Sequence, residues 1–100
     1  MLIVIGYMHV DPADLAEFSV DLKSLAAATR QREGNISYDA VLDNPGDSRL
    51  LIAERWADQA ALTAHLEAED TLAFVNHWQG RMRGDIRKYD AANERNLDDE

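Results

Sequence analysis

The chain has 100 residues, no cysteine and a formal net charge of −9. A chain of this length makes one small domain with a modest core, and without thiols it can form no disulfide, thiolate zinc site or thiol nucleophile. Its acidic surface repels phosphate backbones and anionic lipid, no signal peptide precedes Leu2, and no apolar run reaches the length of a membrane span, so the expectation is a cytoplasmic protein that binds neither nucleic acid nor membrane.

Leu2 to Val10 is rich in β-branched and aromatic residues and reads as a strand. Ile3, Ile5, Tyr7 and His9 lie opposite Leu2, Val4, Met8 and Val10, so it is apolar on both faces. Asp11-Pro12-Ala13-Asp14 supplies an N-cap, a proline at the first helical position and an early acid. Leu15, Phe18, Leu22, Leu25 and Thr29 continue at helical spacing until Gly34, which predicts a helix from Pro12 to about Glu33. Asn35 to Leu42 alternates as a second strand, and the turn residues from Asp43 to Ser48 lead into a third, Leu50 to Trp56, making a hairpin. On that third strand Leu50, Ile52, Glu54 and Trp56 share one face, with Leu51, Ala53 and Arg55 on the other.

Asp58 is a good N-cap for a second helix, on which Leu62, His65, Leu66 and Glu69 fall on one side and bring the imidazole back toward the sheet near Trp56. Glu69-Asp70-Thr71 reads as a break and a fresh cap. Leu72, Val75, Trp78 and Met82 then form a further helical stripe that Gly84 ends. Asp85 to Tyr89 is a short, charged last strand suited to a sheet edge.

The order β-α-β-β-α-β is the split unit of ferredoxin-like α+β folds, with an antiparallel sheet and the helices on one face. Residues 1–90 form this single domain, and 91–100 read as a solvated acidic tail; from Asp90 onward five acids stand against Arg95. Helices cover only one face of strands that are apolar on both. The other face therefore calls for a second copy of the chain, a homodimer whose two sheets close into an α/β barrel.

Glu33-Gly34, Tyr38, the Asp43 to Asp47 turn, Glu54-Arg55-Trp56 and, nine residues after the tryptophan, His65-Leu66 together resemble the antibiotic biosynthesis monooxygenase family, above all its small quinol-monooxygenase-like members. The likeness spans Leu2 to Tyr89. It implies a dimeric barrel that oxidises a small phenolic, quinol or polyketide-like aromatic with dioxygen, using no metal, flavin or other cofactor, in a pocket between sheet and helices. Polyketide-oxidising relatives carry asparagine four residues before the tryptophan and tyrosine six after it, where this chain has Ile52 and Leu62. The residues of haem-degrading relatives are also absent.

The candidate catalytic residues are His65, Trp56, Glu54 and Tyr38. A neutral imidazole at position 65 can take a phenol's proton, Trp56 can stack an aromatic, Glu54 can orient His65 or pair with an arginine, and Tyr38 can donate its hydroxyl to a substrate oxygen. Each also has an ordinary structural use. Tyr7, His9 and Trp78 read as structural and His77 as a boundary residue, and three separated histidines make no metal motif. Two further functions fit the same residues: a non-catalytic dimeric binding or stress-associated barrel, and an isomerase of a small hydroxy or keto metabolite with His65 as proton shuttle.

Overall fold

The computed structural model describes residues 1–99; Glu100, the end of the acidic tail, lies outside the described residues. Four strands, β1 (Leu2–Val10), β2 (Asn35–Asn44), β3 (Arg49–Trp56) and β4 (Met82–Asp90), form one antiparallel sheet in the order β2-β3-β1-β4. Helices α1 (Leu15–Thr29), α2 (Gln59–Glu67) and α3 (Glu69–Trp78) complete the ferredoxin-like order, and short 3₁₀ turns at Pro12–Asp14 and Pro45–Asp47 join the elements. β4 lies at a sheet edge, as its charge predicts.

α1 is shorter than predicted at both ends: Pro12–Asp14 forms the 3₁₀ turn that Asp11 caps, and the α-helix itself starts at Leu15. The Asp11 carboxylate accepts the Ala13 amide at 2.9 Å, and Phe18, Leu22, Leu25, Ala26 and Thr29 form the buried stripe. The regular helix stops at Thr29 rather than Glu33, because the Gln31 and Arg32 amides tighten to the carbonyls of Ala28 and Thr29. Gly34 follows at φ +82°, a conformation that side chains disfavour, and its carbonyl accepts the Ala57 amide at 2.8 Å. That bond ties the end of α1 to the end of β3.

The stripe read through Met82 does not hold. α3 ends at Trp78, a turn with Gly80 at φ +83° follows, and Met82 and Gly84 belong to β4, which starts three residues before the predicted strand. Its inward residues are Thr71, Trp78 and the half-buried Phe74, while Leu72 and Val75 are exposed. The stop is Gly80, four residues before the Gly84 that the sequence suggests, because its positive φ turns the chain out of the helix.

Two apolar clusters lie between helices and sheet. One joins Met8, Val10, Phe18, Leu22, Leu50, Ile52 and Trp78; the other joins Leu2, Val4, Trp56 and Leu62 at the opposite end of β1. Among the described residues no helix covers the other sheet face, and Ile5 and Tyr7 on central β1 remain 40% and 36% exposed. Beyond β4 the Ala91 amide bonds to the Met1 carbonyl and Glu94 lies 3.8 Å from Arg55, in a stretch without helix or strand.

Candidate active site

Register does the first positioning. Val4 on β1 stands opposite Glu54 on β3 and Lys88 on β4, and Tyr38 on β2 stands opposite Glu54, so these four make one row across the helix-covered face. At the end of β3 the chain turns through Asp58, whose carboxylate accepts the Ala61 amide at 2.9 Å and fixes where α2 begins. Two turns later His65 stacks on Trp56, with ring centres 5.0 Å apart and an interplanar angle of 28°, and Tyr38 meets the imidazole edge-on at 6.0 Å. The structure thus brings together all four residues that the sequence singles out.

Their pairing differs from the expectation. Glu54 neither orients His65 nor pairs with an arginine; its Oε1 accepts the Trp56 indole N–H at 2.9 Å. Residues two apart on a strand share a face, so this contact is local and needs no third element. The arginine goes to the histidine instead. Arg32, from the turn after α1, donates its Nε–H to His65 Nδ1 at 3.2 Å and an Nη2–H to Asp70 at 2.6 Å, while the Thr71 hydroxyl lies 3.4 Å from the same Nδ1. Arg32 gives no sequence signal beyond its place at a helix end, since its partners lie more than 30 positions away.

A guanidinium can only donate, so Nδ1 must be an acceptor and the neutral ring carries its proton on Nε2. Burial first, and the Arg32 charge second, hold the imidazole down to about 4, with Asp70 opposing. His65 is therefore uncharged at neutral pH and presents a donor, Nε2–H. Burial raises the Glu54 carboxyl above its ordinary value against the pull of the Trp56 hydrogen bond, and it also raises the Tyr38 phenol, with the nearby Glu54 charge adding to the effect.

A cleft of about 500 Å³ opens beside this row, between α2 and strands β1 and β4. Val4, Leu62, Leu66 and Ile86 make its apolar walls, and Glu54 and Lys88 are polar groups within its lining. Of the four candidates only Glu54 borders it, whereas Trp56, His65 and Tyr38 pack behind. The Lys88 ammonium donates to Gln59 Oε1 at 2.8 Å, linking β4 to the start of α2. A larger depression of about 660 Å³ lies at the far end of β1, is bordered by Asp11, Asp14 and Arg81, and contains none of the four.

The cleft offers one carboxylate and no second metal ligand. Elsewhere, Glu17, Asp21 and His77 hold ligand atoms within 4.8 Å of one another, but Asp21 already accepts the Trp78 indole N–H and His77 Nε2 meets Arg81 and Glu17. Among the described residues no helix is long and apolar enough to cross a membrane.

Comparison with known proteins gives a consistent result. The family model described as "Antibiotic biosynthesis monooxygenase" matches residues 1–77. "Putative monooxygenase YcnE" of Bacillus subtilis (strain 168) is 31% identical over 75 residues, which is 75% of this chain and 79% of that one. Among solved structures, a "putative antibiotic biosynthesis monooxygenase" from Deinococcus radiodurans superposes with a TM-score of 0.88 at 24% identity, covering 97% of this chain and 98% of that one. Another structure, titled as an antibiotic biosynthesis monooxygenase, gives 0.82 at 26% identity over 93% of this chain and all of its own.

Proposed function

The chain belongs to the antibiotic biosynthesis monooxygenase family, and on that premise we propose that it oxidises a small phenolic, quinol or polyketide-like aromatic with dioxygen, as a homodimer and without a bound cofactor. The observation that carries this reading is the cleft: about 500 Å³, apolar on most sides, with a buried carboxyl in its lining and a tryptophan–histidine stack behind that carboxyl. Small-molecule sites are commonly apolar pockets of this order with a few placed polar groups. An electron-rich phenolate can react with dioxygen directly. What the site must supply is a place for the ring, a means of removing the hydroxyl proton, and a dry wall against side reactions.

The second copy enters through the open face. Ile5, Tyr7 and Val41 are exposed there, and burying about 800 Å² per subunit at about 25 cal/mol per Å² of its apolar part is a gross gain on the order of 10 kcal/mol, comparable to the whole stability of a small domain. Oxygen uptake with a panel of quinols and naphthols in metal-free buffer tests the reaction, with labelled dioxygen appearing in the product. Consumption no faster than free autoxidation across the panel contradicts it. The lone carboxyl equally suits proton transfer between carbons, so an isomerase is the second reading; solvent deuterium entering a keto or hydroxy compound without oxygen consumption would establish it.

A further inference from the structure

We propose that Glu54, rather than His65, accepts the substrate's proton, and that the substrate is accordingly a small planar aromatic whose acidic hydroxyl enters the cleft beside the Glu54 carboxyl and near Lys88. This rests on the cleft being the substrate site. The Trp56 indole holds one carboxyl oxygen, Oε1, and the second, Oε2, has no hydrogen-bond partner among the described residues. No fully buried side-chain nitrogen or oxygen among them lacks a partner, so Oε2 reaches open space, and the cleft is the open space that Glu54 borders. A carboxylate accepts on both oxygens, which leaves Oε2 ready for a hydroxyl.

His65 also has a ring nitrogen without a partner among the described residues, Nε2, but two facts keep it from acting as the base. It does not line the cleft, and its one accepting nitrogen is filled by Arg32, so the ring has a proton to offer and nowhere to take one. A guanidinium cannot donate to Nδ1–H, hence the tautomer that would free Nε2 as a base loses its Arg32 contact. His65 is then a positioning residue: it braces Trp56, and Trp56 braces the carboxyl.

In the step itself the phenol O–H bond breaks, the proton passes to Oε2, and the electron pair stays on the substrate oxygen as phenolate. No electrons leave the substrate at this stage. Lys88, in the same row and also lining the cleft, supplies charge opposite to that phenolate. The other ionisable groups around Glu54 are Tyr38 from β2, Arg87 from β4, and His65 with Arg32 behind the indole.

The test uses 4-nitrophenol, whose ionised form absorbs at longer wavelength, titrated into the full chain below the phenol's own ionisation point. The bound phenol shows the phenolate band with wild-type protein and with Asp21→Asn, a carboxyl beside the other tryptophan. With Glu54→Gln, which keeps an acceptor for the indole, the band falls at least tenfold. Difference infrared on the wild type supplies a variant-free readout, because a protonated-carboxyl stretch appears on binding. A phenolate band that survives Glu54→Gln, an absent carboxyl stretch, or no binding of the phenol by wild-type protein overturns the assignment. Oxygen plays no part in this experiment. Phenolate formation with no oxygen consumption by any quinol would remove the monooxygenase reading alone, and oxygen uptake undiminished by Glu54→Gln would remove this one alone.

Discussion

The molecule carries two tryptophans, both fully buried, and the two ends of the helix-covered sheet face differ in how they satisfy the indole N–H. Trp78 packs edge-on against Phe18 at 5.0 Å within an apolar cluster, and its Nε1 donates at 3.0 Å to Asp21, a half-buried carboxylate on α1 at the cluster's rim. Trp56 stacks on a histidine, and its Nε1 donates at 2.9 Å to Glu54, a carboxyl only 7% exposed. An indole needs one acceptor, and a rim acid provides it at small desolvation cost. Burying the acid costs more, as the raised Glu54 carboxyl records, and nothing about holding a tryptophan requires it. Packing explains the Trp78 end, whereas the Trp56 end contains expense that packing leaves over, which is where function is expected.

The largest effect belongs to the packing end. Trp78→Ala should cost roughly 3–5 kcal/mol, a large share of what a small domain holds, and each kcal/mol is worth roughly 4–8 °C in the unfolding midpoint. Calorimetry checks this, and a loss below about 1 kcal/mol would break the idea that Trp78 anchors the core. The next effect belongs to the other end. His65 folds with its imidazole held to about 4 against an ordinary 6.5, so the folded state resists protonation that the unfolded chain accepts. Its contribution is whole above about 6.5 and is lost as pH falls toward 4, up to on the order of 3 kcal/mol by the value of a pKa unit. His65→Gln should flatten the acid side of a stability profile; an unchanged slope there would contradict the buried, Arg32-bound geometry.

A smaller effect separates the two carboxyls directly. Glu54 has its folded value raised, so its stabilising share is present below the ordinary glutamate range and lost as pH rises through the raised value. Glu54→Gln should therefore gain on wild type as pH rises across that window, measured by denaturant titration at several pH values. Asp21→Asn, which preserves an acceptor for Trp78, should shift stability by no more than about 0.5 kcal/mol at neutral pH. If Glu54→Gln shows no such pH-dependent gain, the two ends are alike after all.

Much of this could be seen in the sequence because it is local and periodic. Strand alternation placed Glu54 and Trp56 on the covered face, and helical spacing from Asp58 brought His65 back over Trp56, as the structure has it. What stayed hidden was long-range or degenerate. Arg32 reads as an ordinary charge before a helix-stopping glycine, yet it reaches His65 and Asp70 because the loop after α1 folds back beside α2 and α3. The spacing through Met82 reads as helix, but the chain turns at Gly80, whose positive φ ends the helical path before Met82 enters β4. Which of four clustered residues faces open space depends on side-chain volumes from three elements, and no spacing along one chain encodes that.

Ligand is expected to enter at the Trp56 end. With only two indoles in the chain, their Nε1–H resonances in a ¹⁵N-labelled sample report each end separately. During an oxygen-free titration with a quinol or 4-nitrophenol, the indole signal lost in Trp56→Phe should move progressively to saturation while the Trp78 signal stays in place. Movement of the Trp78 signal alone, or saturation of neither, would contradict it.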